Sequence, residues 1–351
     1  MLDFLNANLE QVSVHEVGNK TNGDRLIISG TELAIEDETL RQLLFKFFTA
    51  SFTTPEYYSF TFSNLDFKLN PLYQFATTIF DNEEDDAFHV NSMNIARQLY
   101  EVSIHPQIKA GDLFVAKLSG VSISGETTEA IGIFKSENRQ DFLKVKNDSG
   151  SQFSVNYEDG INIDKLDKGC LIMNTGQDSG YRICIVDKGN RNNEAQYWRD
   201  TFLQLTPVSD EYHFTKDFLS IARTFVTDQI EEEFEVSKAD KIDYLNRSVE
   251  YFKTHDTFEK QEFEQHVFHD ENLIASFRSY EKNYSDENGL DIAAQFDISP
   301  QAVKKQERVF KSVLKLDKNF HIYIHGDKEL IEQGIDPDGR KFYKIYYESE
   351  S

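Results

Sequence analysis

Residues 112–121 (DLFVAKLSGV), 129–137 (EAIGIFKSE), 141–147 (DFLKVKN), 152–157 (QFSVNY), 170–174 (CLIMN) and 181–187 (YRICIVD) decide the fold. Each run is short and rich in β-branched or aromatic residues, and Gly, Asn or Asp turns separate several of them. Short returns of this kind join antiparallel neighbours, because a parallel pair needs a crossover of a dozen or more residues. The segment reads as a mainly antiparallel sheet. Upstream, residues 9–16 (LEQVSVHE) alternate as a half-buried strand, and Leu26 to Ile28 continue the pattern after Asn22-Gly23-Asp24, so a β-hairpin opens the chain. Helices are expected over 38–52, where Leu40, Leu43, Leu44, Phe47 and Phe48 recur at helical spacing, and from about Asn91 or Ser92 to just before Pro106.

Beyond Phe214 the period changes. Phe218, Ile221, Ala222, Phe225 and Ile230 mark one helix, and Ile242, Leu245, Val249 and Phe252 mark another that Ser237 and Asp240 cap reciprocally. Strand-like residues return in HIYI and KFYKIYY, with a turn at Asp336-Pro337-Asp338-Gly339. The expectation is an α+β protein in two parts: residues 1–208 form a sheet domain with packed helices, and residues 209–351 form a helical domain ending in a β-strand pair. A length of 351 residues fits two cores better than one.

Composition narrows the function. The formal net charge of −24 repels nucleic acid and anionic lipid as a mean field, so cationic function must be local. Residues 201–300 carry 22 acidic against 9 basic residues, whereas 301–351 carry 10 basic against 9 acidic. No apolar run approaches the ~20 residues needed to span a bilayer, and the N-terminus has no export leader, so a cytoplasmic protein without a membrane partner is expected. Cys170 and Cys184 lie in apolar strands and read as reduced, buried thiols. Phosphate loops, dinucleotide fingerprints and nucleophile elbows are absent, which leaves no visible seat for catalysis and implies no cofactor. His266, His269 and Asp270, the His321/His325 pair and the acidic run Asp81–Asp86 lack the ligand number or spacing of a metal site.

One basic pattern stands out. Ser299-Pro300 is a helix start, and a helix from there to about Leu316 would place Lys304, Arg308, Lys311 and Lys315 on one face, with Lys305 beside it and Lys318 at its end. Such a face can follow a phosphate backbone; lysine on a solvated amphipathic helix is the plainer reading. Residues 290–308 admit a helix-turn-helix as a second view, although Asp297 stands where the turn usually has glycine.

The succession SFRSYEKNY (276–284), AQFDIS (294–299), a basic helix, FHIYIHGDKELIEQGI (320–335) and DPDGRKFYKIYY (336–347) resembles the bacterial nucleoid-associated protein family of the NdpA type. Tyr197–Leu203 followed by Lys216-Asp217-Phe218 resembles that family's passage from sheet domain to helical domain. The resemblance implies a non-catalytic protein on the nucleoid and association with DNA, double-stranded in the first instance. Lys304, Lys305, Arg308, Lys311, Lys315 and Lys318 are then the expected phosphate contacts. The alternative is an acidic interaction module that reaches the nucleoid through a protein partner. A homodimer joined through the helical domain is a further expectation.

Overall fold

The computed structural model describes residues 2–53, 56–63, 66–81, 86–150, 152–188, 197–288, 290, 292–310, 313–316, 320–323, 330–347 and 349. The chain divides into two compact units, Met1–Val208 and Ser209–Ser351.

The first unit is built on an antiparallel sheet. Its strands are β1 (Leu2–Asp3), β2 (Asn8–Val17), β3 (Leu26–Ile27), β4 (Tyr57–Phe60), β5 (Gly111–Ile123) and β6 (Glu126–Ser136), followed by a separate pair, β7 (Arg139–Ser149) and β8 (Gln152–Ile161). β9 (Lys168–Met173), β10 (Arg182–Asp187) and β11 (Leu205–Pro207) complete it. The order across the sheet is β11-β4-β10-β9-β6-β5-β2-β3, with β1 also on β5. The opening hairpin closes through Glu16↔Ile27 and Val17↔Leu26, with Gly23 at φ 78° in the loop between them.

Both faces of this sheet are covered. Helix α1 (Glu38–Thr49) starts at Asp37, whose carboxylate accepts from the Thr39 and Leu40 amides, and it buries Phe47 and Phe48 against Phe114 and Phe134. The opposite face packs α2 (Pro71–Asp81) and α3 (Ala87–Val102) with the π-helical turn Tyr197–Leu203. The sequence reading missed α2, although its Leu72, Tyr73, Ala76 and Ile79 fall on one buried face. It also started α3 four or five residues late. Cys170 and Cys184 are free and buried, and burial pushes both thiols up.

Two of the runs expected in that sheet stand apart from it. Among the described residues, 139–149 and 152–161 pair with each other and with no other strand, in register Leu143↔Tyr157 and Val145↔Val155.

The second unit is helical, with α4 (Glu211–Thr224) continued by the π-helical turn Phe225–Gln229 and a short helix Ile230–Glu233. α5 (Lys238–Thr254), α6 (Lys260–Val267), α7 (Glu271–Asn288) and α8 (Pro300–Gln306) follow. Ser237 and Asp240 form the expected capping box of α5. The core is aromatic: Phe218, Phe225, Phe252, Phe258, Phe263, Phe268 and Phe277 interlock with centroid spacings of 4.4–6.3 Å. The strands β12 (Thr257–Glu259) and β13 (Gln295–Asp297) pair with each other.

At the end of the chain, β14 (Val313–Leu316) pairs with β15 (Phe320–Tyr323), and β16 (Ile331–Ile335) pairs with β17 (Lys341–Ile345). The expected pairing of HIYI with KFYKIYY therefore gives way to two hairpins. Leu316, Ile322, Ile331 and Tyr343 from these hairpins pack around Ile242 of α5. The Asp336-to-Gly339 turn forms as expected, with the Arg340 amide donating to the Asp336 carboxylate.

Candidate nucleic-acid interface

The basic segment begins where expected. Ser299 caps α8 by accepting from the Ala302 amide, Pro300 occupies the first turn, and the Ser299 amide donates to Thr215 Oγ1 on α4 at 3.0 Å. Ala302 and Val303 face the core, so Lys304 and Lys305 are turned outward and exposed in the last turn, where their charge also complements the helix dipole. Lys305 Nζ stands 6.0 Å from the centroid of the Tyr212 ring. Lys304 makes no ion pair among the described residues.

The continuous helical stripe is not formed. After Gln306 the backbone tightens into a 3-10 turn, Glu307–Val309, and Phe310 is buried. Val313–Leu316 then enters a β-ladder, placing Lys315 opposite His321. The helical spacing of Arg308, Lys311 and Lys315 was a coincidence of sequence: burying Phe310 and pairing the Val-Leu-Lys-Leu run outweigh weak helix propensity. Lys311 and Lys318 lie outside the described residues, as do the side chains of Arg308 and Lys315.

The helix-turn-helix is also overturned. Gln295–Asp297 is a strand held by Thr257–Glu259, so no helix occupies the position ahead of the turn.

Glu307 is the nearest acid in sequence to the exposed lysines. Lys253 of α5 pairs with it at 2.6 Å, which offsets its charge. The sequence reading missed this pair because the two residues are 54 positions apart and only the packing of α5 and α8 joins them.

His266 ends up near His255, with ring centroids 6.5 Å apart, and His255 stacks on Tyr251 at 4.2 Å. Burial and the neighbouring His255 hold His266 below its usual pKa. His269 sits beyond the helix with φ 59°. Among the described residues, no three His, Cys, Asp or Glu side chains are grouped to hold a metal ion. Residues 82–85 of the acidic run, and His325, lie outside them.

Fold and surface together define a two-unit α+β protein that carries a small cationic segment on an otherwise acidic chain. The chain belongs to the family described as nucleoid-associated protein YejK, whose model matches residues 13–347 and so runs through both units. No individually curated protein matches it in sequence. Among the described residues no helix is long and apolar enough to cross a membrane.

Proposed function

We propose that this chain is a nucleoid-associated protein that holds double-stranded DNA weakly and without base selection, and that it acts by binding rather than by catalysis. Family membership supports the nucleoid-associated role. The observation that carries the DNA contact is the outward pair Lys304 and Lys305, held on a capped helix beside a glutamate already paired with Lys253. Arg308, Lys311, Lys315 and Lys318 follow in the same stretch of sequence.

Contacts of this kind grip phosphates and release counterions, giving a log–log salt slope of about −0.9 per phosphate. Four to six contacts correspond to a slope of roughly −4 to −5. The acidic helices of residues 228–291 repel DNA and restrict which surface can approach it.

The test is charge reversal. Changing Lys304, Arg308, Lys311 and Lys315 together to Glu abolishes retention on immobilised double-stranded DNA at low salt, while the variant keeps the parent's circular dichroism and melting temperature. Undiminished retention by the folded variant contradicts this assignment.

A second reading is favoured by the 22-to-9 excess of acids in residues 201–300. On that reading the helical unit engages a basic protein on the nucleoid. It predicts that the purified protein fails to bind DNA at any salt but forms a salt-sensitive complex with such a partner.

A further inference from the structure

The β7–β8 hairpin carries a row of exposed apolar side chains in the first unit. With strands of 11 and 10 residues it is roughly 35 Å long, and among the described residues it pairs with no other strand. The register sorts its side chains by face. Leu143↔Tyr157, Val145↔Val155 and Asn147↔Phe153 share one face, and Phe142↔Glu158, Lys144↔Asn156 and Lys146↔Ser154 share the other.

The first face carries Leu143, Val145, Phe153, Val155 and Tyr157, all between 59% and 78% exposed. A two-stranded hairpin of this kind is marginal in water by itself, and a contiguous apolar patch of several hundred Å² marks an interaction surface.

We propose that this face docks on the same face of a second copy of the chain, forming a two-fold dimer. Three observations favour a second copy over other occupants. The first is area: the five side chains expose on the order of 600 Å² per copy, so a pair covers roughly 1,200 Å², the lower end of what a specific interface buries.

The second is charge. The chain as a whole carries −24, but residues 139–161 contain Arg139, Lys144 and Lys146 against Asp141, Asp148, Glu158 and Asp159, a net of −1. Lys144 pairs with Glu158 at 2.7 Å on the far face, and Arg139 bridges Asp112 and Asp159 at the base. Arg139, Asp141 and Asp159 share this face only at its base, and from there to the tip it presents Leu143, Val145, Asn147, Phe153, Val155 and Tyr157, so two acidic copies can meet along an uncharged stretch that offers no cation to nucleic acid and no carboxylate to a basic partner.

The third is fit. With the two hairpins stacked antiparallel about an axis through Val145 and Val155, each Leu143 meets the partner's Asn147 and each Tyr157 meets the partner's Phe153. The bulky row then faces the row nearer the tip, and Val145 faces its own counterpart.

Light scattering on the full chain, from about 5 to 100 µM, tests this. Wild type is expected at twice its 40.7 kDa chain mass, and the Leu143→Lys/Val155→Lys variant at the single mass with an unchanged melting temperature. Lys146→Ser, on the far face, stays dimeric. A Val145→Cys variant oxidised in air should give a disulfide-linked dimer, because Cys170 and Cys184 are buried and leave the new thiol as the reactive one.

A wild type of single mass throughout overturns the proposal. So does a double variant that stays dimeric, which would place the dimer contact elsewhere. If a monomeric wild type floats with neutral phosphatidylcholine vesicles and the double variant does not, the face belongs to a lipid surface instead.

Discussion

Lysine plays opposite parts in the two units. In the sheet unit Lys135, Lys168 and Asp187 stand in one row across β6, β9 and β10, with both lysines fully buried. Lys135 bonds to Glu137 at 2.9 Å and to the Lys109 carbonyl, and Lys168 bonds to Asp187 at 2.9 Å. The Tyr197 ring lies 5.9 Å from one ammonium and 5.1 Å from the other. In the helical unit Lys304 and Lys305 face water on a seven-residue helix. Positive charge inside the sheet is fully engaged in holding the π-helical turn against the strands, and so is withheld from any ligand. Charge on α8 contributes little to the core and lies at the exposed surface. Burial pulls Lys135 below the ordinary lysine value and Glu137 opposes that pull, as expected of a structural cation.

The comparison breaks first if the buried lysines prove dispensable. Lys135→Ala removes the cation that neutralises a mostly buried carboxylate and should cost about 3–5 kcal/mol in urea unfolding, without changing the salt slope of DNA binding at temperatures where the variant is folded. A loss below 1 kcal/mol would mean that the row is not structural.

A second effect comes from His15, which is buried with its Nδ1 accepting from the Ser29 amide at 3.2 Å and its Nε2 3.0 Å from Ser92 Oγ. Burial first, and the neighbouring His89 next, hold its pKa down to about 4. The unfolded chain therefore takes up this proton before the folded one does. The associated stability is complete above about pH 6.5 and is lost as pH falls toward 4, by at most about 3 kcal/mol. Unfolding midpoints between pH 7 and 4.5 should fall accordingly, and His15→Gln should flatten the trend.

Smaller effects sharpen the other side. Ser237→Ala breaks the capping box of α5 and should cost about 1 kcal/mol in thermal unfolding. Since Ile242 of that helix anchors the C-terminal hairpins, hydrogen exchange in residues 331–345 should quicken. Least of all, Glu307→Gln removes one acid beside the exposed lysines and frees Lys253, and it should raise DNA affinity at low salt by about threefold.

How much of this was legible in the sequence depends on the range over which each signal acts. Antiparallel strands, the aromatic helical core and the Ser237 capping box follow from local period and local hydrogen bonding, and all three are present. Helix α2 was missed because its aromatic and threonine-rich sequence carries no charged face to set the period. The basic stripe misled because Lys304, Arg308, Lys311 and Lys315 fit a helix by spacing alone, whereas the chain changes to a strand once Phe310 enters the core. The separateness of residues 139–161 was illegible, since alternation reveals a two-faced strand but not what covers its apolar face. Pairing of Lys253 with Glu307, like the row of buried lysines, depends on contacts between residues far apart in the chain.

The central claim is a local cationic grip on DNA by an acidic chain, and the most direct measurement is the binding constant for fluorescent double-stranded DNA from 20 to 200 mM salt. The account predicts binding at low salt with a log–log slope of roughly −4 to −5, indifferent to base sequence and lost in the four-site charge reversal. Absence of binding at the lowest salt, or binding whose strength does not change with salt, would contradict it.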